Sequence, residues 1–145
     1  MLSTDRKNYL NETFWKNIKM LILNTINHIR VAEFFRLDEF QCPCCKQVML
    51  HSLLLQKLKG LRYIIRKPVI ITSGYRCLSY NQQVGGVKSS YHLLGMAADI
   101  HVPEFPLADL LKIAGEIGFK GIGFYPEQNF LHLDVRPTRQ THWQG

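Results

Sequence analysis

Apolar residues recur at intervals of three and four near the start of the chain, from Phe14 to Ile29. This spacing places them on one face of a helix, so it predicts an amphipathic helix that packs on the domain or extends outside it. The polar residues 1–11 are expected to fray. We therefore divide the chain into an N-terminal extension, residues 1–33, and a main domain, residues 34–145, which carries the candidate chemistry described below.

Helical and strand patterns alternate through the rest of the chain. A helix is predicted from an N-cap at Ser52 to about Ile65, and another from Pro106 to Ile117, ended by Gly118. The first helix has an apolar inner face, formed by Leu54, Leu58, Leu61 and Ile65. Strands are predicted at residues 69–72, 97–102, 121–125 and 130–135, and a loop with one helical turn at 77–91. This order predicts an α+β fold, in which helices flank a small, mainly antiparallel sheet.

Composition narrows the class of protein. A chain of 145 residues with 46% hydrophobic content is typical of a globular domain, and it has no apolar run of about 18 residues that would predict a membrane-spanning helix. Lys16 and Lys19 precede a short apolar run, but asparagines interrupt it and no small-residue cleavage site follows, so we expect no signal peptide. The net charge of +7 favours an anionic partner, but the chain has no nucleic-acid recognition motif, so we expect no nucleic acid.

Four cysteines occur, at Cys42, Cys44, Cys45 and Cys77. Their spacing does not match the paired C-x-x-C pattern of a zinc ribbon. A disulfide from Cys77 to one of the other three, or free buried thiols, are the favoured alternatives, and a structural metal is the least favoured.

The residues best suited to chemistry are His92, Asp99 and His132. Gly95, between the first two, allows the backbone to reverse so that the two side chains converge. His132 and Asp134 share one face of a predicted strand, because Leu131 and Leu133 point to the other. Two histidines and one carboxylate leave a tetrahedral zinc with an open fourth position, which is the catalytic arrangement.

The motif Ser90-x-His92-x-x-Gly95-x-Ala97-x-Asp99 resembles that of the zinc D-Ala-D-Ala carboxypeptidase family. Relatives of this family include vancomycin-resistance D,D-dipeptidases, phage L-alanyl-D-glutamate endolysins and the hedgehog signalling domain. Residues 73–76 (Ser-Gly-Tyr-Arg) and 121–136, which include His132, are similar to it as well. The resemblance implies one zinc ion on His92, Asp99 and His132. It also implies that Arg76 lies in the cleft to bind substrate and stabilise an oxyanion, and we expect Tyr91, beside His92, to contact substrate.

Two positions depart from the family pattern. Many members carry an acidic general base three positions before the last histidine, where this chain has Asn129, and some carry a second histidine where it has Phe130. Asp134 is therefore our first candidate for the base, although it could equally serve only to orient His132. Glu127 is the second candidate, and the absence of any dedicated base is the third.

The resemblance implies a zinc-dependent peptidase that acts on peptidoglycan stem or cross-link peptides containing D-amino acids. We expect an endopeptidase rather than a carboxypeptidase, acting as a monomer at the bacterial cell wall, in the periplasm, outside the cell or after release by a phage. The alternative is a binding module that retains zinc without catalysis, as in the hedgehog branch.

Overall fold

The computed structural model describes residues 12–145. Its four helices are α1 (Glu12–Ile26), α2 (Ser52–Ile65), α3 (Leu78–Gln83) and α4 (Leu107–Ile117). Its seven strands are β1 (Arg30–Ala32), β2 (Phe35–Arg36), β3 (Ile70–Ser73), β4 (Ala97–His101), β5 (Gly121–Tyr125), β6 (Phe130–Asp134) and β7 (Thr141–Gln144). Short 3₁₀ turns cover Leu37–Phe40 and Tyr91–Leu94.

The central sheet has five strands in the order β3-β4-β6-β5-β7. All neighbours pair antiparallel except β5 and β7, which are parallel. The expected α+β fold with a mainly antiparallel sheet is thus confirmed. One face of the sheet carries the core, because alternate residues such as Ile100, Leu131 and Leu133 point toward the helices and are fully buried.

Helices α2 and α4 cover the apolar face of the sheet. The predicted inner face of α2 is confirmed, since Leu54, Leu58, Leu61 and Ile65 are all buried. Helix α4 follows Pro106 and ends at Gly118, whose φ of +84° is the left-handed conformation typical of a glycine C-cap. The N-cap predicted for α2 was wrong: His51, not Ser52, occupies it, because the His51 ring accepts a hydrogen bond from the Leu53 amide.

Helix α1 is largely exposed. In α1, the large apolar residues Leu21, Ile22 and Ile26 are exposed. Asn27 is buried and donates hydrogen bonds to Gln41 Oε1 at 3.0 Å and to the Lys46 carbonyl at 2.7 Å. The division at residues 33/34 stays a prediction, and the fraying expected for residues 1–11 lies outside the described residues. Within residues 12–145, no helix has the length and apolar character needed to cross a bilayer.

Candidate active site

His92 is held in place by its own turn and by a neighbouring carbonyl. The Ser90 hydroxyl accepts a hydrogen bond from the His92 amide, which caps the 3₁₀ turn at Tyr91–Leu94. Gly95 ends that turn at φ +64°, where an added Cβ would lie 2.3 Å from the Met49 carbonyl oxygen. The predicted reversal at Gly95 is therefore present. The His92 Nδ1–H donates to the Gly74 carbonyl at 2.7 Å, which leaves Nε2 free to bind a metal.

Strand pairing brings the other two side chains together. Asp99 on β4 lies directly opposite His132 on β6 in the antiparallel register. Because side chains of directly opposed residues point to the same face, both project away from the core and toward His92. The predicted strand alternation around His132 is confirmed by the complete burial of Leu131 and Leu133 on the opposite face.

Three potential ligand atoms converge at this point. His92 Nε2 lies 3.2 Å from Asp99 Oδ1 and 3.1 Å from His132 Nδ1, and the last two atoms are 3.0 Å apart. A tetrahedral zinc with bonds of about 2.0–2.1 Å separates its ligand atoms by about 3.3 Å. The three side chains therefore have the chemistry and nearly the spacing of a zinc site.

The electrostatics of the three side chains also favour a cation. Burial works to raise the pKa of Asp99, but hydrogen bonds and charges from His132 and His92 hold that pKa well below its usual range. Arg76 Nη2 donates to Asp99 Oδ2 at 2.6 Å, so Oδ1 is the oxygen that faces the histidines. A carboxylate that stays ionised in a buried place, with two imidazoles beside it, is suited to hold a divalent ion.

Asp134 lies behind His132, on the side away from His92 and Asp99. The His132 Nε2–H donates to Asp134 Oδ2 at 3.0 Å. Asp134 also accepts from Arg136 Nη2 at 2.6 Å and from Arg136 Nε at 2.8 Å, and it is 0% exposed. Of the two roles expected for Asp134, this placement favours the orientation of His132, because a buried carboxylate bound to Arg136 is remote from a substrate in the cleft.

The pKa values of this pair reflect the same contacts. Burial works to raise the pKa of Asp134, but hydrogen bonds from Arg136 and His132 hold it well below its usual range. Burial likewise works to lower the pKa of His132, but its contacts with Asp134 and Asp99 outweigh that effect and raise it. The carboxylate of Asp134 thus stays ionised and fixes the proton on His132 Nε2.

The three converging side chains lie at the base of a cleft of about 480 Å³. Residues that sequence analysis did not assign to the site form part of its wall: Tyr125, Phe130, Arg136 and Trp143. The Trp143 ring lies 5.2 Å from the His132 ring, and its Nε1–H donates to the Tyr125 hydroxyl at 3.1 Å. The Arg136 guanidinium lies over the rings of Tyr91 and Trp143. Arg76 and Tyr91, both predicted, also line the cleft.

Asp99 is the one carboxylate among the described residues that line this cleft. Glu127 lies in the exposed turn between β5 and β6 and does not contribute to the wall. Asn129, in the same turn, has a φ of +54°, and its carbonyl oxygen lies 3.0 Å from His101 Nδ1. The placement of Glu127 therefore gives no support to the second candidate for a general base.

Comparison with known families and proteins agrees with this geometry. The sequence model of the family described as Peptidase M15 matches residues 27–134. The chain is 39% identical over 94 residues to the peptidoglycan L,D-endopeptidase MepK of Escherichia coli (strain K12), an alignment that covers 61% of this chain and 50% of the relative.

Two further relatives extend the comparison. A probable peptidoglycan L,D-endopeptidase MepK of Haemophilus influenzae is 36% identical over 80 residues, which is 52% of this chain and 42% of the relative. The zinc D-Ala-D-Ala carboxypeptidase of Streptomyces albus G is 30% identical over 81 residues, 53% of this chain and 32% of the relative. The chain thus spans half or less of the length of each curated relative.

Proposed function

The chain belongs to the Peptidase M15 family, and on that premise we propose that it is a zinc-dependent peptidase that hydrolyses an amide bond in peptidoglycan. The observation that carries the proposal is the convergence of His92 Nε2, Asp99 Oδ1 and His132 Nδ1 within 3.0–3.2 Å of one another at the base of an open cleft. We assign these three atoms as the metal ligands. A zinc ion held by them would supply Lewis-acid polarisation of the scissile carbonyl and would lower the pKa of a water molecule to about 7.

Arg76 is assigned to the substrate. Two of its N–H groups donate to Asp99 Oδ2 and to Ser73 Oγ, at 2.6 and 2.9 Å. A guanidinium has five N–H donors, so others remain for a substrate carbonyl or carboxylate and for the oxyanion that develops as the amide is attacked. Its charge is held in place by Asp99, so little reorganisation is needed when substrate binds.

The aromatic wall is assigned to substrate positioning. Tyr91 and Trp143 flank Arg136, and Trp143 also lies beside His132. Aromatic rings in the wall of the cleft can hold an extended peptide with its amide near the ligand atoms. We propose that Asp134 is a positioning residue, which keeps the His132 tautomer with its Nδ1 lone pair toward the ion.

No described side chain of the cleft is placed as a dedicated general base, because Asp99 is occupied with the histidines and Arg76. We therefore favour the third of the alternatives, in which none is used. The non-catalytic alternative receives no support from the relatives, all of which are named as enzymes.

Endopeptidase action is proposed over carboxypeptidase action, because the relatives with the higher identity are named L,D-endopeptidases. We propose that the protein acts at the cell wall, where its substrate lies, and that it does so as a monomer, because the residues assigned to the cleft all belong to one chain.

Digestion of purified peptidoglycan tests the proposal. Zinc-loaded protein is incubated with sacculi, and the released muropeptides are identified by mass spectrometry. An endopeptidase converts cross-linked dimers to monomers, whereas a carboxypeptidase releases only terminal amino acids. His132→Ala should abolish the products, and His142→Ala, at an exposed histidine of β7 outside the cleft, should retain them. Absence of any product from zinc-loaded wild type would overturn the proposal.

A further inference from the structure

A second cluster of metal-binding side chains lies outside the cleft. Three cysteines of the Cys42–Cys45 turn meet Cys77, the residue before α3, so that all four sulfur atoms lie within 4.8 Å of one another. Cys44 Sγ is 3.6 Å from Cys42 Sγ and 3.3 Å from Cys77 Sγ. We propose that Cys42, Cys44, Cys45 and Cys77 hold a structural zinc ion, distinct from the one assigned to the cleft.

The spacing of the sulfur atoms is that of a single shared ion. Four thiolates at about 2.3 Å from a tetrahedral zinc lie about 3.8 Å apart, close to the 3.3 and 3.6 Å separations found here. A disulfide would join two of the sulfur atoms and leave two thiols over, whereas all four lie close enough to one another to share one ion. Four protein ligands fill the coordination sphere, so the site is closed to substrate and structural rather than catalytic.

The backbone of the first segment is folded to present its sulfur atoms on one side. The Cys42 amide donates to the Gln47 carbonyl at 2.8 Å, and the Lys46 amide donates back to the Cys42 carbonyl at 2.9 Å. Lys46 has a φ of +59°, which closes this tight turn. The Cys77 amide also points at Cys42 Sγ, 3.5 Å away, as expected for a donor that stabilises a thiolate ligand.

The position of Cys77 gives the ion a role in the fold. Cys77 directly follows Arg76, whose amide donates to the His92 carbonyl at 3.1 Å. The preceding residue, Tyr75, donates its amide to the Phe40 carbonyl at 2.8 Å. An ion shared by Cys77 and the Cys42–Cys45 turn therefore fixes the segment that carries Arg76 against the segment after Phe40. We infer that it holds Arg76 in place at the edge of the cleft.

Zinc analysis of the 145-residue chain, purified with reductant and dialysed against zinc, tests this site separately from the cleft. Wild type should contain two zinc ions per chain, and Cys45→Ser and Cys77→Ser should each contain one. His132→Ala should also contain one zinc ion, and the double variant that combines His132→Ala with Cys77→Ser should contain none. Ser79→Ala is the matched control, because the Ser79 hydroxyl contacts Cys77 Sγ without being a ligand, and it should retain two.

A measurement on protein with all four cysteines guards against variants that fail to fold. Cobalt(II) added to metal-free His132→Ala protein should give the charge-transfer absorption of thiolate ligands, and thiol titration in denaturant should find four free thiols per chain. A disulfide in the wild-type protein, or a zinc content that does not change in the cysteine variants, would overturn the proposal. Loss of peptidoglycan cleavage alone would not affect it, since the zinc count is measured without substrate.

Discussion

Replacement of Asp134 by asparagine tests whether this residue orients His132 or acts as a base. In the wild-type protein, Asp134 Oδ2 accepts from His132 Nε2 at 3.0 Å and from Arg136 Nη2 at 2.6 Å, while Oδ1 accepts from Arg136 Nε and from the Arg136 amide. All of these partners are donors. The amide nitrogen of an asparagine must face one pair of them, whichever way the side chain is turned.

The substitution changes which nitrogen of His132 can carry the proton. If the amide nitrogen faces His132, Nε2 must become the acceptor and the ring proton moves to Nδ1, the atom that lies 3.0 Å from Asp99 Oδ1 and 3.1 Å from His92 Nε2. With its proton on Nδ1, His132 cannot bind the ion through that atom. If the side chain is turned instead, two Arg136 donors lose their acceptor, at a cost of about 1–3 kcal/mol. Loss of a residue that orients a ligand typically weakens metal binding about 10–100-fold, or roughly 1.4–2.8 kcal/mol.

We therefore expect Asp134→Asn to raise the zinc Kd of the cleft site by about 10–100-fold, measured by competition with a chromophoric chelator. Activity should recover substantially when zinc is added in excess. Asp109→Asn, at an exposed aspartate of α4, serves as the matched control and should leave the Kd unchanged. The reasoning is refuted if the variant binds zinc as tightly as wild type while kcat falls on the order of 10²–10⁴-fold, since that is the signature of a lost general base.

Three further predictions concern the cleft. Trp143→Ala should raise KM for peptidoglycan fragments on the order of tenfold and leave the zinc content unchanged, and Trp143→Phe should have a KM between those of the wild type and Trp143→Ala. A KM of Trp143→Ala equal to that of the wild type in a steady-state assay would show that Trp143 does not contact substrate. In Gly74→Ala, the new Cβ would lie 2.6 Å from the Phe40 backbone, so the free energy of unfolding should fall by about 1–3 kcal/mol and the carbonyl of residue 74 should move away from His92. Thermal denaturation measures this loss, and a melting temperature equal to that of the wild type would contradict the prediction. Zinc binding to the cleft site should release protons and weaken as pH falls, because protons compete with the ion for the ligand nitrogens. The raised pKa of His132 should make this loss begin above the ordinary histidine value of about 6.5. Calorimetry in buffers of different ionisation enthalpy measures the proton release, and a pH-independent Kd would refute the prediction.

Hydrophobic periodicity was sufficient to predict the elements that build the core. Helix α2 and strand β6 each have an apolar face that the core buries, so their spacing in the sequence reflects their packing directly. The alternation in β6 also assigned His132 to one face of the strand and Leu131 and Leu133 to the other. The grouping of His132 with His92 and Asp99 came from the motif instead, because no periodicity links residues 33 or 40 positions apart.

Other features depend on contacts that a single sequence does not reveal. Strand β7 is a four-residue edge strand, mostly exposed and paired parallel to β5, so its sequence has no clear alternation and Trp143 could not be assigned to the cleft. Strands β1 and β2 are shorter still and were not predicted. The cysteine cluster could not be recognised from the sequence for the same reason. Its fourth member, Cys77, approaches the Cys42–Cys45 turn only because the segment after β3 contacts the segment around Phe40 in the fold.

Crystallography with anomalous scattering at the zinc edge tests the central claim most directly. Crystals of the zinc-loaded protein should show an ion about 2.0–2.2 Å from His92 Nε2, Asp99 Oδ1 and His132 Nδ1, with the His132 Nε2–H still bound to Asp134. An ion held by other atoms, or a cleft without anomalous density at saturating zinc, would contradict the assignment on which the peptidase proposal depends.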